Sequence, residues 1–302
     1  MRQYLILFSL FLFSSCTKLV ENEFESFNDY HVVNSILQAD SQIVMNVSKT
    51  VGLQETGVAY EEQATIELYI NDSLSSTLTY RGSGEYVSEY IAEEDGEYKF
   101  VVQIPNRESF SIEKKIPVAS EIFAVGHLDN FAVDEEGVST PALTMTIGND
   151  TSEIRYHHLK VAQIQETRYD GTFVYPIQIE EIVDPLLKRE GIPILNFSNQ
   201  GVSNSKFSLT VNYSTGHATK VNGQWVIALA PLLIELRTTD QDYYELIKSQ
   251  YLYEQASIPE LAGSNKAVYE PYYQTYTEGV IGLSVAYSKV IADTLFVENN
   301  YQ

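Results

Sequence analysis

Short runs rich in Val, Ile and Tyr, separated by turn residues, recur from residue 31 to the end of the chain and most constrain its fold. In the run TIELYI, the apolar Ile66, Leu68 and Ile70 alternate with more polar neighbours. Successive side chains of a strand point to opposite faces, so this alternation predicts half-buried β-strands. About seven such runs in under roughly 100 residues predict an immunoglobulin-like β-sandwich over residues 31–119.

Longer runs of the same kind fill the second half of the chain, after a break near Ala119-Ser120. They predict a larger β-rich domain over residues 120–302. The run 224–239 is long enough for one strand that bends at Pro231. The final run, 280–297, predicts two terminal strands.

A helix is predicted convincingly at one place, about residues 240–256. Asp240 is suited to cap it, and Asp242 lies in its first turn, where a negative charge favours the helix dipole. Asp95-Gly96 is a strong turn signal between two strand-like runs. The predicted fold class is therefore all-β, with an N-terminal sandwich, a larger β-rich domain and one helix near its C-terminal end.

The N-terminus predicts export and lipidation. Residues 4–13 are apolar apart from Ser9 but too short to span a bilayer, which is typical of a signal peptide. Two small residues precede Cys16, the only cysteine of the chain. Ordinary signal-peptidase cleavage before Cys16 would place the bulky Phe13 three residues upstream, whereas FSSC resembles a lipobox. Residues 1–15 are thus predicted to be a signal peptide, and Cys16 to carry acyl chains such as palmitate; the alternative is an incidental cysteine.

Residues 16–30 are predicted to form a lipidated tether rich in acidic side chains, namely Glu21, Glu23, Glu25 and Asp29. The simpler interpretation is a solvated linker. The more specific one is a surface-export signal, because surface lipoproteins of Bacteroidota resemble this chain in carrying acidic residues soon after the lipidated cysteine.

The charge balance restricts the partners of the chain. There are 19 Lys and Arg against 41 Asp and Glu, a formal net charge of −22. Such a surface repels phosphate backbones and anionic head groups, which disfavours nucleic acid and a basic-patch membrane contact. It favours cations and basic partners.

Three segments together resemble a known family. The first is ATIELYINDS. The second is the pair EYVSEY and GEYKFVV, which the resemblance implies is a hairpin. The third is AVYEPYYQTYTEGVIGLSVAYS (267–288). With the lipobox, they resemble the Bacteroidota lipoproteins grouped as domain of unknown function 4249. The resemblance covers essentially the whole mature chain. It implies a surface or outer-membrane lipoprotein whose gene commonly lies near a TonB-dependent transporter, and it supplies no activity or binding residues.

No motif of the sequence predicts catalysis, a cofactor or a metal centre. His157 and His158 are adjacent and would point to opposite faces of a strand, so they cannot share one metal ion. The acidic loops Glu93-Glu94-Asp95 and Asp134-Glu135-Glu136 could bind Ca²⁺, but both precede a glycine, as plain turns do. The chain is therefore predicted not to be an enzyme.

The densest aromatic segment is the candidate contact surface. Tyrosines suit stacking on a glycan or peptide ligand. The alternative is that they pack the helix onto the β-rich domain. The candidate residues are Tyr243, Tyr244, Tyr251, Tyr269, Tyr272, Tyr273 and Tyr276.

Two short patterns, Asp72-Ser73-Leu74 and Asp293-Thr294-Leu295, resemble the O-glycosylation sites of periplasmic Bacteroidota proteins. Ser73 and Thr294 are accordingly candidate modification sites. Together these observations predict an outer-membrane lipoprotein on the cell surface, a non-enzymatic accessory or binding protein of a TonB-dependent transporter in nutrient uptake. The alternatives are a structural or adhesive surface protein without a small ligand and a cryptic hydrolase.

Overall fold

Alternating apolar and polar side chains build almost every element of the chain. The computed structural model describes residues 30–52, 57–167, 171–256 and 271–297. Within them, the first half contains nine strands: β1 (His31–Gln38), β2 (Gln42–Lys49), β3 (Ala59–Tyr60), β4 (Thr65–Ile70), β5 (Ser73–Thr77), β6 (Thr79–Gly82), β7 (Glu85–Ile91), β8 (Glu97–Gln103) and β9 (Phe110–Lys115).

The described part of the second half contains twelve strands and two helices. The strands are β10 (Ile122–Val133), β11 (Ser139–Gly148), β12 (Tyr156–Thr167), β13 (Gly171–Pro176), β14 (Gln178–Ile179), β15 (Asn196–Ser198), β16 (Lys206–Ser214), β17 (Ala218–Val221), β18 (Gln224–Ile227), β19 (Leu232–Thr239), β20 (Gln274–Thr277) and β21 (Val280–Ile291). The helices are α1 (Pro185–Lys188) and α2 (Gln241–Ala256). The mainly β fold with a helix near the C-terminal end is confirmed.

The first sandwich consists of two sheets with the strand orders β1-β2-β7-β6 and β5-β4-β8-β9. Its core contains Ile43 and Met45 of β2 and Phe100 and Val102 of β8, all 0% exposed. Burial of these alternate side chains holds the two sheets together. In an immunoglobulin-type sandwich, strands A-B-E-D form one sheet and C-F-G the other, which matches β1-β2-β7-β6 and β4-β8-β9, with β5 added beside β4. The predicted N-terminal β-sandwich is therefore confirmed.

The Asp95-Gly96 turn is a corner between sheets, and the predicted hairpin is wrong. Strand β7 pairs with β2 and β6, whereas β8 pairs with β4 and β9, so the turn carries the chain across the sandwich. Tyr98 folds back over this corner, and its hydroxyl accepts a hydrogen bond from the Glu93 amide at 2.6 Å. Gly96 makes room for the ring, since a Cβ there would lie 2.7 Å from Cε2 of Tyr98.

The second sandwich packs β12 and β19 against β11 and β16. Its core includes Leu159, Ile234, Leu143, Leu209 and Val211, each at most 2% exposed. Strand β10 lies beside β11. Among the described strands, β11 is the only one with which β10 pairs.

One sheet of eleven strands runs through both sandwiches. Strand β21 joins the two halves, because it pairs with β1 in parallel from His31↔Val280 to Gln38↔Tyr287 and with β19 in antiparallel fashion from Glu235↔Ile291 to Thr239↔Tyr287. A strand from beyond residue 120 thus completes the first sandwich. The predicted division at residues 119 and 120 stays a prediction.

Two further expectations are wrong in detail. The run 224–239 forms β18 and β19 in different sheets rather than one bent strand, because Pro231 has no amide hydrogen with which to continue a ladder. The run 280–297 forms one strand, β21, which ends at Ile291, followed by a single antiparallel bridge between Leu295 and Leu232 further along β19.

Candidate functional site

Helix α2 lies across the outer face of the shared sheet, at the centre of the candidate contact surface. Asp240 caps it as predicted, since its Oδ1 accepts a hydrogen bond from the Tyr243 amide at 2.9 Å. Tyr243 packs with Leu246 and Ile247 of the helix against Val285 and Tyr287 of β21. The helix therefore covers the part of the sheet where the two sandwiches meet.

Tyr243 and Tyr244 are buried and serve in this packing. The Tyr243 hydroxyl accepts a hydrogen bond from Nη1 of Arg237 at 2.7 Å and lies 3.0 Å from Nδ1 of His158. The Tyr244 hydroxyl donates to the Glu190 carboxylate, and burial together with this bond raises the pKa of Tyr244 to about 12. With 5% and 6% of their surfaces exposed, these two rings are not available to a large partner.

Of the remaining tyrosines of the candidate surface, some pack against neighbouring side chains and others are exposed. Tyr276 stacks on Phe110 at 5.5 Å between ring centroids, and burial raises the pKa of Tyr276. Burial and a hydrogen bond to Asp242 raise the pKa of Tyr272 to about 12. Tyr273 is 49% exposed and Tyr251 is half-buried, so a contact role for these two stays a prediction. Tyr269 lies outside the described residues.

His157 and His158 point to opposite faces of β12, as the sequence predicts for neighbours in a strand. His157 enters the second core, where it stacks on Phe197 at 5.2 Å, and burial lowers its pKa to about 3. His158 faces helix α2, and burial lowers its pKa to about 4. Among the described residues, no group of three or more His, Cys, Asp or Glu side chains is placed to hold a metal ion.

The other predicted sites lie apart from one another. Cys16 lies outside the described residues. Ser73 is exposed at the start of β5, and Thr294 is half-buried between β21 and the Leu295 bridge. Of the acidic loops, Asp95 forms an ion pair with Lys115 at 2.7 Å.

Sequence analysis missed a groove at the edge of β12, between β13 and the segment that precedes β15. Its volume is about 750 Å³, within the range typical of small-molecule sites. Five separate segments contribute to it, which is why no local motif indicated it. Only the apolar loop IPIL at residues 192–195 hinted at it. The lining is largely aliphatic and includes Leu159, Val174, Ile177, Ile194, Leu233 and Ile291.

Three polar side chains border this groove. His158 is held by Tyr243 and stays neutral near pH 7, because burial lowers its pKa to about 4. Burial opposes ionisation of Glu235, but its 2.6 Å bond to Arg237 and nearby cations lower the pKa of Glu235. Lys160 is exposed and forms no ion pair with another described residue. The groove thus combines an aliphatic floor with the exposed ammonium group of Lys160 and the carboxylate of Glu235.

Comparison with protein families gives a match over most of the chain. A family model described as "Domain of unknown function (DUF4249)" matches residues 17–289. No curated protein matches the chain. In the described ranges, neither helix has the length and apolar character needed to cross a bilayer.

Proposed function

The chain belongs to the DUF4249 family, and on that premise we propose that it is a non-enzymatic binding lipoprotein of the outer membrane. It is anchored through Cys16, faces the cell surface and acts beside a TonB-dependent transporter in nutrient uptake. The observation that carries the proposal is the FSSC sequence at residues 13–16, after an apolar stretch too short to span a bilayer. The family match beginning at residue 17, next to Cys16, supports it.

The groove beside β12 is the ligand site of this proposal. Its volume and aliphatic lining suit a mostly apolar ligand, and Lys160 suits a negatively charged end on that ligand. Among the described residues that line it, none is Phe, Tyr or Trp. Sugars are commonly bound by stacking on aromatic rings, so the lining favours a peptide with apolar side chains over a glycan.

The anchor and the transporter partner are tested by purification from native membranes. The protein carries a C-terminal tag, the outer membrane is solubilised in mild detergent, and the proteins that accompany it are identified. For the natural protein we expect an acylated Cys16 and a TonB-dependent transporter recovered in stoichiometric amount. For the variant Cys16→Ser we expect the protein to leave the membrane and the transporter to be absent. An acylated protein recovered alone would contradict the transporter association.

The groove is tested with an apolar anionic dye, anilinonaphthalene sulfonate. Ile291 lines the groove and Ile36 does not, yet both are strand residues of the shared sheet and both are 61% exposed. We expect Ile291→Glu to weaken dye binding about tenfold, a cost of about 1.4 kcal/mol, and Ile36→Glu to leave it unchanged. Equal effects of the two substitutions would remove the groove from the proposal.

Strand β10 favours a second function, adhesion or assembly at the cell surface. It is an edge strand of twelve residues, and it exposes Phe123, Leu128, Phe131 and Val133. Long apolar edge strands can pair with a strand of another chain. Recovery of the tagged protein with envelope proteins but without a transporter would favour this function.

A further inference from the structure

A second cavity lies on the β11–β16 sheet of the second sandwich, between the β10–β11 turn, residues 180 and 181, and the start of β17. Its volume is about 610 Å³, which suits a small ligand. Five carboxylates line it, and none of its described lining residues is Lys or Arg. They are Asp134, Glu135, Glu136, Glu180 and Glu181.

The floor of this cavity is polar and buried. On β11 the odd-numbered side chains Leu143 and Met145 enter the core, so Thr140 belongs to the opposite face. Asn212 lies on the same face of the sheet, since it pairs with Ala142. Thr140 is 1% exposed and Asn212 3%, and both line the cavity.

Two oxygen atoms of this floor have no hydrogen-bond partner among the residues that the structure describes. They are Oγ1 of Thr140 and Oδ1 of Asn212. Buried polar atoms are nearly always hydrogen-bonded, and each exception asks for a cause. An amide oxygen can only accept and a threonine hydroxyl can do so too, so the groups that suit this floor are hydrogen-bond donors, and among charged groups an ammonium or guanidinium supplies them.

The walls are held in place by backbone contacts. Asp134 closes its own turn, because its Oδ1 accepts hydrogen bonds from the amides of Glu136 at 3.0 Å and Val138 at 2.7 Å. The Glu180 amide donates to the Asn212 carbonyl at 3.2 Å, which keeps Glu180 next to the floor. The carboxylates are not grouped closely enough for a metal centre among the described residues. Charge and hydrogen bonding therefore point to an organic cation.

We propose that this acidic cavity binds a primary ammonium or guanidinium group, whose N–H groups donate to Thr140 and Asn212 while the surrounding carboxylates balance its charge. The group can belong to a free polyamine or to a Lys or Arg side chain of a peptide, since both present the same donors and charge. This site is separate from the groove beside β12, and its occupancy does not depend on the function proposed for that groove.

The proposal is tested by calorimetric titration of the full-length protein at low ionic strength. The probes are spermidine, a tri-arginine peptide and Ca²⁺. We expect binding of spermidine or of the peptide, with an affinity that falls as salt is added. The tighter of the two identifies the source of the cation. Binding of Ca²⁺ alone, or of no probe, would overturn the proposal.

Matched variants separate the cavity from the general acidity of the chain. Glu135→Gln with Glu136→Gln removes two charges from the cavity. The control, Glu93→Gln with Glu94→Gln, removes two charges from the other acidic turn, where both side chains are likewise exposed. We expect about tenfold weaker binding in the first pair and unchanged binding in the second. Equal weakening of binding in both double variants would mean that the cation is attracted by the overall negative charge of the chain and not by this cavity.

Thr140→Val tests the floor itself. Valine keeps the shape of threonine and removes the unpartnered oxygen, so the folded state is not expected to lose stability. We expect weaker binding of the cation with an unchanged or higher melting temperature. Unchanged binding would show that Thr140 plays no part in recognition and would overturn the assignment of the floor.

Discussion

His157 is a histidine that the fold keeps uncharged. Its Nε2 lies 3.0 Å from Oγ of Ser120, its Nδ1 has no partner among the described residues, and the ring lies against Phe197. Burial lowers its pKa to about 3, compared with 6.5 for a free histidine. Because the folded-state pKa is the lower one, the unfolded chain binds the proton more readily. The contribution of His157 is complete above pH 6.5 and is lost as the pH falls towards 3.

We therefore expect the free energy of unfolding to fall with decreasing pH below 6.5, with a contribution from His157 of about 1.4 kcal/mol per pH unit. His157→Gln removes this contribution, so the variant has a shallower slope between about pH 6 and pH 4. Urea denaturation across that range measures it. An identical slope in the natural protein and in the variant would contradict the buried neutral state.

Strand β21 joins the two sandwiches only because one of its residues lacks a side chain. Gly282 lies opposite Val33 of β1, and a Cβ at this position would lie 1.9 Å from the Val33 carbonyl oxygen. No side-chain rotation relieves a contact with backbone, so any larger residue must push the two strands apart. The glycine is thus a requirement of the pairing between β1 and β21.

Gly282→Ala is expected to destabilise the protein by about 2–3 kcal/mol through this overpacking. Ser284→Ala, two residues further along the same strand, is the matched control. Its hydroxyl is buried without a partner, so its removal is expected to leave stability unchanged or slightly higher. Thermal and urea unfolding of both variants provide the comparison, and equal stability of the two would refute the role of Gly282.

Alternation along single strands allowed the sequence to predict β2, β4 and β8, and the Asp240 cap allowed it to predict helix α2. It did not predict which sheet each strand enters, because a strand with one apolar face satisfies either sheet of a sandwich. Asp95-Gly96 illustrates this, since the same turn residues suit a hairpin and a corner. The groove beside β12 was missed for a related reason, as its lining comes from segments far apart in sequence.

At the scale of the whole molecule, Lys114 connects the first sandwich to helix α2. This lysine of β9 donates to Asp240 at 3.0 Å and to Asp242, and only 7% of its side chain is exposed. Burial raises the pKa of Asp240, although the nearby ammonium opposes that shift. Ser120 makes a second connection at the junction, where its amide donates to Oγ1 of Thr238 at 2.8 Å.

Lys114→Met is expected to destabilise the protein by about 3 kcal/mol, because it leaves two largely buried carboxylates without their cation. Lys115→Met is the matched control. Its side chain is 53% exposed and pairs with Asp95 at the surface, so the expected loss is below about 1 kcal/mol. Urea denaturation followed by circular dichroism measures both. A similar small loss in both variants would show that Lys114 does not hold the two parts together.

The sequence by itself determined the local properties of this protein, namely its alternating strands and its capped helix, whereas lipidation of Cys16 stays a prediction. Each depends on neighbouring residues, whose backbone geometry and spacing are readable in order along the chain. The tertiary structure decided the rest. It placed β21 beside β1, buried Tyr243 and Tyr244, and brought together the groove and the acidic cavity. These features depend on contacts between distant segments, and such contacts are chosen by packing of the whole core rather than by any local pattern.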